Sequence, residues 1–124
     1  MKNKILGLRT VIYKVGDMNA AKKWYSDIFN TQPYFDEPFY AGFNIAGYEL
    51  GLQPDTVSPN KKTDHVTAYW GVEDIEKEYK RFIKGGASEH EAPTNVGGEI
   101  VVAAVKDPWG NVIGLIYNPE FELS

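Results

Sequence analysis

Cysteine is absent from the 124 residues. That absence excludes disulfides, zinc–thiolate centres and cysteine nucleophiles. Histidine is scarce, represented only by His65 and His90. No run is apolar enough to span a membrane. The opening Met1-Lys2-Asn3-Lys4-Ile5-Leu6-Gly7 lacks the long apolar core of a signal peptide. A cytoplasmic protein without a membrane partner is the resulting expectation. Positive charge is also short: 13 Lys and Arg against 17 Asp and Glu give a formal charge of -4. Nucleic-acid binders usually carry a basic face, and the runs Lys22-Lys23 and Lys61-Lys62 are too short to make one. No phosphate-cradling glycine loop and no serine-nucleophile motif occurs.

What remains is an ordinary globular composition, with 43% hydrophobic and 24% charged residues, which argues for a folded chain over a disordered one. The length suits a single domain with one modest core. Aromatics reach 14%, with three Trp, eight Tyr and six Phe, enough to line a pocket as well as fill a core.

Residues 8–15 are β-branched and aromatic and read as a strand. Asp17 is a helix N-cap, because its carboxylate can accept the free amides of the following turn. Met18, Ala21, Tyr25, Ile28 and Phe29 then recur at helical spacing, and Asn30 is a stop. Strand-like runs follow at about 33–37, 40–45 and 48–53, the last two joined by Ala46-Gly47 as a hairpin turn. Residues 55–64 read as a linker. The pattern then restarts: a strand over 65–72, Asp74 as N-cap, a stripe of Ile75, Tyr79, Phe82 and Ile83, and Gly85-Gly86 as the stop. A loop rich in Gly, Pro and Asn, which includes His90, leads to strands at 99–106 and 112–117. Between those two strands Asp107-Pro108-Trp109-Gly110 forms a type I turn.

Anchored on the two helix caps, Thr10 through Met18 lies over Thr67 through Ile75, with Thr, Val, Asp and a large apolar residue matched. The chain reads as a duplication of one βαβββ unit. The fold class is α+β, a single domain over 1–124, with module one at about 5–54 and module two at about 65–119.

The residues that carry the repeat also carry a family resemblance. They are strand–Asp17–helix with Trp24-Tyr25, then Gly47-Tyr48-Glu49-Leu50, the second strand–Asp74–helix ending Gly85-Gly86-Ala87, and Asp107-Pro108-Trp109-Gly110 running into Gly114-Leu115. Over roughly residues 5–119 the chain resembles the vicinal oxygen chelate superfamily of glyoxalases, bleomycin-resistance proteins and extradiol dioxygenases. The resemblance implies that the two modules form a half-barrel with a concave small-molecule cavity, commonly in a homodimer. It also implies up to four metal-ligand positions. Counted from the caps and the turn glycine they fall on Thr10, Glu49, Thr67 and Gly114. Only Glu49 is a metal ligand by type, whereas a catalytic zinc site usually takes three protein ligands. No cofactor is therefore expected. His65, two residues before Thr67, lies about 6–7 Å along the strand from the ligand position; with Glu49 it forms the alternative metal pair.

Strand alternation places Thr10, Ile12, Lys14, Glu49, Gly51 and Gln53 on the cavity face, with His65, Thr67, Tyr69, Gly71, Gly114 and Ile116 on that of module two. Trp109 and the segment 34–40 supply aromatics that roof the cavity or meet a second subunit. The candidate ligand-binding set is thus Thr10, Ile12, Glu49, Gln53, Thr67, Tyr69, Trp109 and Gly114. Glu49 is the candidate catalytic residue, its pKa expected to rise by desolvation. The leading expectation is a metal-independent glyoxalase-like protein that binds or isomerises a small organic compound. The alternatives are a metal-dependent lyase or isomerase using Glu49 and His65, and a non-catalytic interaction module.

Overall fold

The computed structural model describes residues 8–56, 61–62 and 66–119. Contacts divide the chain into two compact units, Met1–Thr56 and Val57–Ser124.

In the first unit, β1 (Thr10–Val15) leads through Asp17 into α1 (Met18–Ile28). The Asp17 carboxylate accepts the amide of Ala20 at 3.1 Å, as its position before the apolar stripe requires. Ala21, Tyr25 and Ile28 are buried on one side of α1. Tyr25 stacks on Tyr13 of β1 with ring centroids 5.7 Å apart. The helix ends where Asn30 turns left-handed (φ 52), so that the amide of Thr31 returns to the carbonyl of Ser26 at 3.1 Å. Then come β2 (Phe35–Glu37), β3 (Tyr40–Ile45) and β4 (Tyr48–Pro54). Ala46 and Gly47 both have positive φ, as a two-residue hairpin turn needs. The sheet order is β1-β4-β3-β2, with β1 parallel to β4.

The second unit repeats this plan with β5 (Tyr69–Gly71), α2 (Ile75–Lys84), β6 (Ser88–Gly97), β7 (Ile100–Lys106) and β8 (Val112–Tyr117). Its sheet order is β5-β8-β7-β6, again with the first strand parallel to the last. Even the caps match: Asp74 accepts the amide of Lys77, and the amide of Ala87 returns to the carbonyl of Phe82 through a left-handed Gly86. Ile75, Tyr79 and Phe82 are the buried stripe of α2.

Three expectations change. The segment read as a loop before residue 99 is the ten-residue edge strand β6, and His90 stands exposed on it. Three register shifts against β7 break its alternation, and an edge strand tolerates Pro93. Strand β5 covers only Tyr69–Gly71 of the 65–72 run, and His65 lies outside the described residues.

The register of the duplication also shifts. The amide of Glu49 bonds the carbonyl of Arg9, and the amide of Gly114 bonds that of Ala68. Thr10 faces Glu49 in the ladder, and Tyr69 faces Gly114. By strand pairing the counterpart of Thr10 is therefore Tyr69, and Thr67 lies two residues before it. The path from paired strand to helix cap is two residues shorter in the second unit, a difference the caps alone do not reveal.

Candidate functional site

Alternation in β3 and β4 sends Ala41, Phe43, Leu50 and Leu52 into the core, each fully buried. The opposite face carries Gly42, Glu49, Gly51 and Gln53, together with Thr10 and Ile12 of β1. Four residues of the sequence-derived set, Thr10, Ile12, Glu49 and Gln53, thus share one sheet face.

Glu49 is the centre of this face. Thr10 Oγ1 donates to its Oε1 at 2.8 Å, and the Tyr34 hydroxyl donates to its Oε2. The Tyr40 hydroxyl reaches toward the same carboxylate and is the smallest of the influences on its pKa. Two glycines make this convergence possible. Gly42 and Gly51 face each other in the ladder. A Cβ on Gly51 would overlap the Tyr40 hydroxyl and stand 2.7 Å from its Cζ. A Cβ on Gly42 would come within 2.8 Å of Glu49 Oε2 and 3.0 Å of Tyr34 Cε1. The bare floor lets both phenol rings reach across the sheet to one acid. The Tyr34 ring is fixed at its base, where its amide bonds the carbonyl of Gly42 at 2.9 Å.

The hydroxyls set the charge state. The Tyr34 bond draws the Glu49 carboxyl below its ordinary value; burial opposes it, and the Thr10 and Tyr40 bonds add to the lowering. The expected rise by desolvation is therefore reversed, because three donors outweigh partial burial. Tyr40 is pushed up to about 12, first by burial and then by the Glu49 charge. Tyr34 is raised mainly by its bond to Glu49. At neutral pH the cluster is one carboxylate held by protonated phenols.

In the second unit the Tyr69 ring lies against Gly114, where an added Cβ would stand 2.6 Å from its Cδ1. Tyr69 is 45% exposed. Thr67 is half-buried and precedes β5. Trp109 is half-buried in the β7–β8 turn, its amide bonded to Asp107 Oδ1 at 2.9 Å. Gly114 holds the ladder position that Glu49 holds in the first unit, so this unit has no acid there, and Val102 and Ile116 stand where the first unit has Gly42 and Gly51.

The sequence offered Tyr34 and Tyr40 only within the aromatic segment 34–40, and assigned Gly42 no role. The signal was the alternation Tyr40-x-Gly42 beside Glu49-x-Gly51, which places two small residues on the face that also carries a tyrosine and an acid.

Residues 7–115 match the sequence profile of the Glyoxalase/Bleomycin resistance protein/Dioxygenase superfamily. The chain belongs to that superfamily. Comparison with curated protein sequences yields no match. Among solved structures, a glyoxalase-related enzyme from Fulvimarina pelagi is similar with a TM-score of 0.78 at 15% identity, over 97% of this chain and 94% of that one. The bleomycin resistance determinant encoded on transposon Tn5 is similar at 0.72 and 17% identity, over 91% and 98%. The fosfomycin resistance protein FosX from Listeria monocytogenes, solved with Mn(II) and 1S,2S-dihydroxypropylphosphonic acid, is similar at 0.74 and 18% identity, over 90% and 89%. These likenesses establish the shared α+β fold.

The fosfomycin resistance protein was solved with Mn(II) bound, which makes the donor set of the present chain informative. Of the four positions Thr10, Glu49, Thr67 and Gly114, one supplies a carboxylate and one has no side chain. The carboxylate already takes the hydroxyl protons of Thr10 and Tyr34. The Tyr69 ring lies where a side chain at position 114 would begin. No group of three or more His, Cys, Asp and Glu that could hold an ion occurs among the described residues. Among these four positions Glu49 is the one carboxylate, fewer than the three protein ligands a catalytic zinc ion usually takes. Among the described residues, no helix is long and apolar enough to cross a membrane.

Proposed function

We propose that the chain, acting as a single domain over 1–124, binds a small organic molecule on the Glu49 face and does so without a metal. The observation that carries this reading is the convergence of Thr10, Tyr34 and Tyr40 on Glu49 over the paired Gly42 and Gly51. Two hydroxyl protons, from Thr10 and Tyr34, satisfy this acid where a metal enzyme would use it as a ligand. Thr10, Ile12, Gln53 and Glu49 are the contacts proposed on that face; Thr67, Tyr69, Trp109 and Gly114 are proposed as ligand-binding residues of the second unit by itself.

The lowered pKa of Glu49 makes it a weak base, which favours binding over proton-transfer catalysis. Isomerisation or lyase chemistry by Glu49 is the lesser form of the same reading. The protein is proposed to be cytoplasmic and to pair as a homodimer. Phe39, 65% exposed in the β2–β3 turn, is the kind of residue a subunit contact covers.

The deciding experiment is metal analysis of the purified protein, followed by a thermal-shift screen with divalent ions and a metabolite library. A ligand that binds only the folded state raises the transition temperature. An organic ligand whose shift disappears in Glu49→Gln supports the reading. Stoichiometric bound metal, lost in Glu49→Gln, would overturn it in favour of a metal-dependent lyase. Sedimentation velocity tests the dimer.

A further inference from the structure

The Glu49 face has a hydrogen-bond polarity of its own. Thr10 and Tyr34 each own one hydroxyl proton, and each spends it on the carboxylate, with Tyr40 beside them as a weaker influence on the same acid. What the cluster turns outward is oxygen lone pairs and a negative charge. It accepts from a ligand more readily than it gives, because the Thr10 and Tyr34 protons are already taken. An incoming carboxylate or phosphonate would meet the Glu49 charge and would have to break one of these bonds to use either hydroxyl as a donor.

The other charges of the face do not reverse this. Thr10, Glu49 and Asn44 form one row of the sheet; Ile12, Gly51, Gly42 and Phe35 form the next. The base on the face, Lys14, pairs with Gln53 one row further on, four residues along β1 from Thr10. That spacing is roughly 13 Å by strand rise. Between Thr10 and Lys14, the strand positions of this face carry no Lys or Arg. Beside the acid stand aromatic rings: Tyr34 is 65% exposed, and the Phe35 ring centre is 6.2 Å from that of Tyr40. The π-faces of such rings attract positive charge and repel negative charge.

We propose that this face selects an organic cation, an ammonium on an apolar or aromatic body, with its N–H groups on the Tyr34–Glu49–Tyr40 oxygens. The proposal rests on the reading of the Glu49 face as the ligand site, and adds the class of ligand.

Amide NMR titration of the full chain tests it, with three probes of one shape and different charge: phenethylammonium, 2-phenylethanol and phenylacetate. The ammonium is expected to move the amides of Gly42, Glu49 and Gly51 and to bind about tenfold more tightly than the other two. Added salt and Glu49→Gln should each weaken it, the substitution by about tenfold. Tyr34→Phe keeps the carboxylate and removes the Tyr34 oxygen as an acceptor but frees a lone pair of Oε2 in its place, so ammonium affinity should change by less than about threefold. A tenfold loss in that variant would overturn the proposal. So would phenylacetate or 2-phenylethanol binding as tightly on the same amides, a result that leaves the small-molecule reading standing. If none of the three moves those amides at millimolar concentration, cation selection fails, while the site itself is judged by the library screen.

Discussion

The Tyr34 hydroxyl donates to Glu49 Oε2 across a sheet floor on which Gly42 and Gly51 face each other. This bond is the largest of the influences holding the Glu49 carboxyl below its ordinary value of 4.5. A group whose pKa is lower in the folded state stabilises the fold above its unfolded pKa. That stabilisation fades as pH falls through the folded value. Urea unfolding between about pH 6 and about pH 3 should therefore show wild type losing stability faster than Glu49→Gln. Parallel curves for the two proteins would show that the hydroxyls do not favour the ionised form. Tyr34→Phe should lift the Glu49 pKa back toward its ordinary value, read from its side-chain carboxyl carbon shift.

Gly51 is expected to tolerate no side chain without moving Tyr40. In Gly51→Ala the new methyl would occupy the space of the Tyr40 hydroxyl. The ring must swing off the sheet, at a cost of about 1–3 kcal/mol in unfolding free energy. Ligand binding should fall further than stability does, because the Tyr40 hydroxyl leaves the side of Glu49. Thermal unfolding and binding of the same variant, measured together, check the split.

Asp107 is 3% exposed and gathers three donors in the β7–β8 turn. Its Oδ1 accepts the amides of Trp109 and Asn111 at 2.9 and 2.7 Å, and its Oδ2 accepts Asn111 Nδ2 at 2.8 Å. Removing the carboxylate strands these donors in a half-buried turn. Asp107→Ala should cost about 2–4 kcal/mol by denaturant unfolding. Asp107→Asn keeps one acceptor oxygen and should recover part of the loss.

Tyr79 of α2 buries its hydroxyl without a hydrogen-bond partner among the described residues. Burial and the nearby Glu89 charge raise its pKa, so it is a neutral phenol at ordinary pH. Tyr79→Phe removes a polar atom that gained nothing on folding. Stability should stay the same or rise by up to about 1 kcal/mol. A fall of that size would reveal a partner for the hydroxyl.

The amino-acid sequence by itself determined the duplicated unit, both Asp caps and both left-handed helix stops. Each is a local choice: a short carboxylate ahead of a 3.6-period stripe, and an Asn or Gly after it. It also determined that Thr10, Ile12, Glu49 and Gln53 share a face, since strand alternation is a property of the backbone. Strand β6 was illegible because it is an exposed edge, where bulges and Pro93 erase the alternation that a buried face imposes. The pairing of Tyr69, and not Thr67, with Gly114 depended on the ladder, because the hydrogen-bond register between distant strands is set by packing and not by spacing along the chain. The tertiary structure alone decided the chemistry of Glu49. Burial by itself would have raised its pKa. Two glycines brought opposite each other let Tyr34 and Tyr40 cross the sheet, and the Tyr34 proton, with that of Thr10, turned the expected base into a held anion.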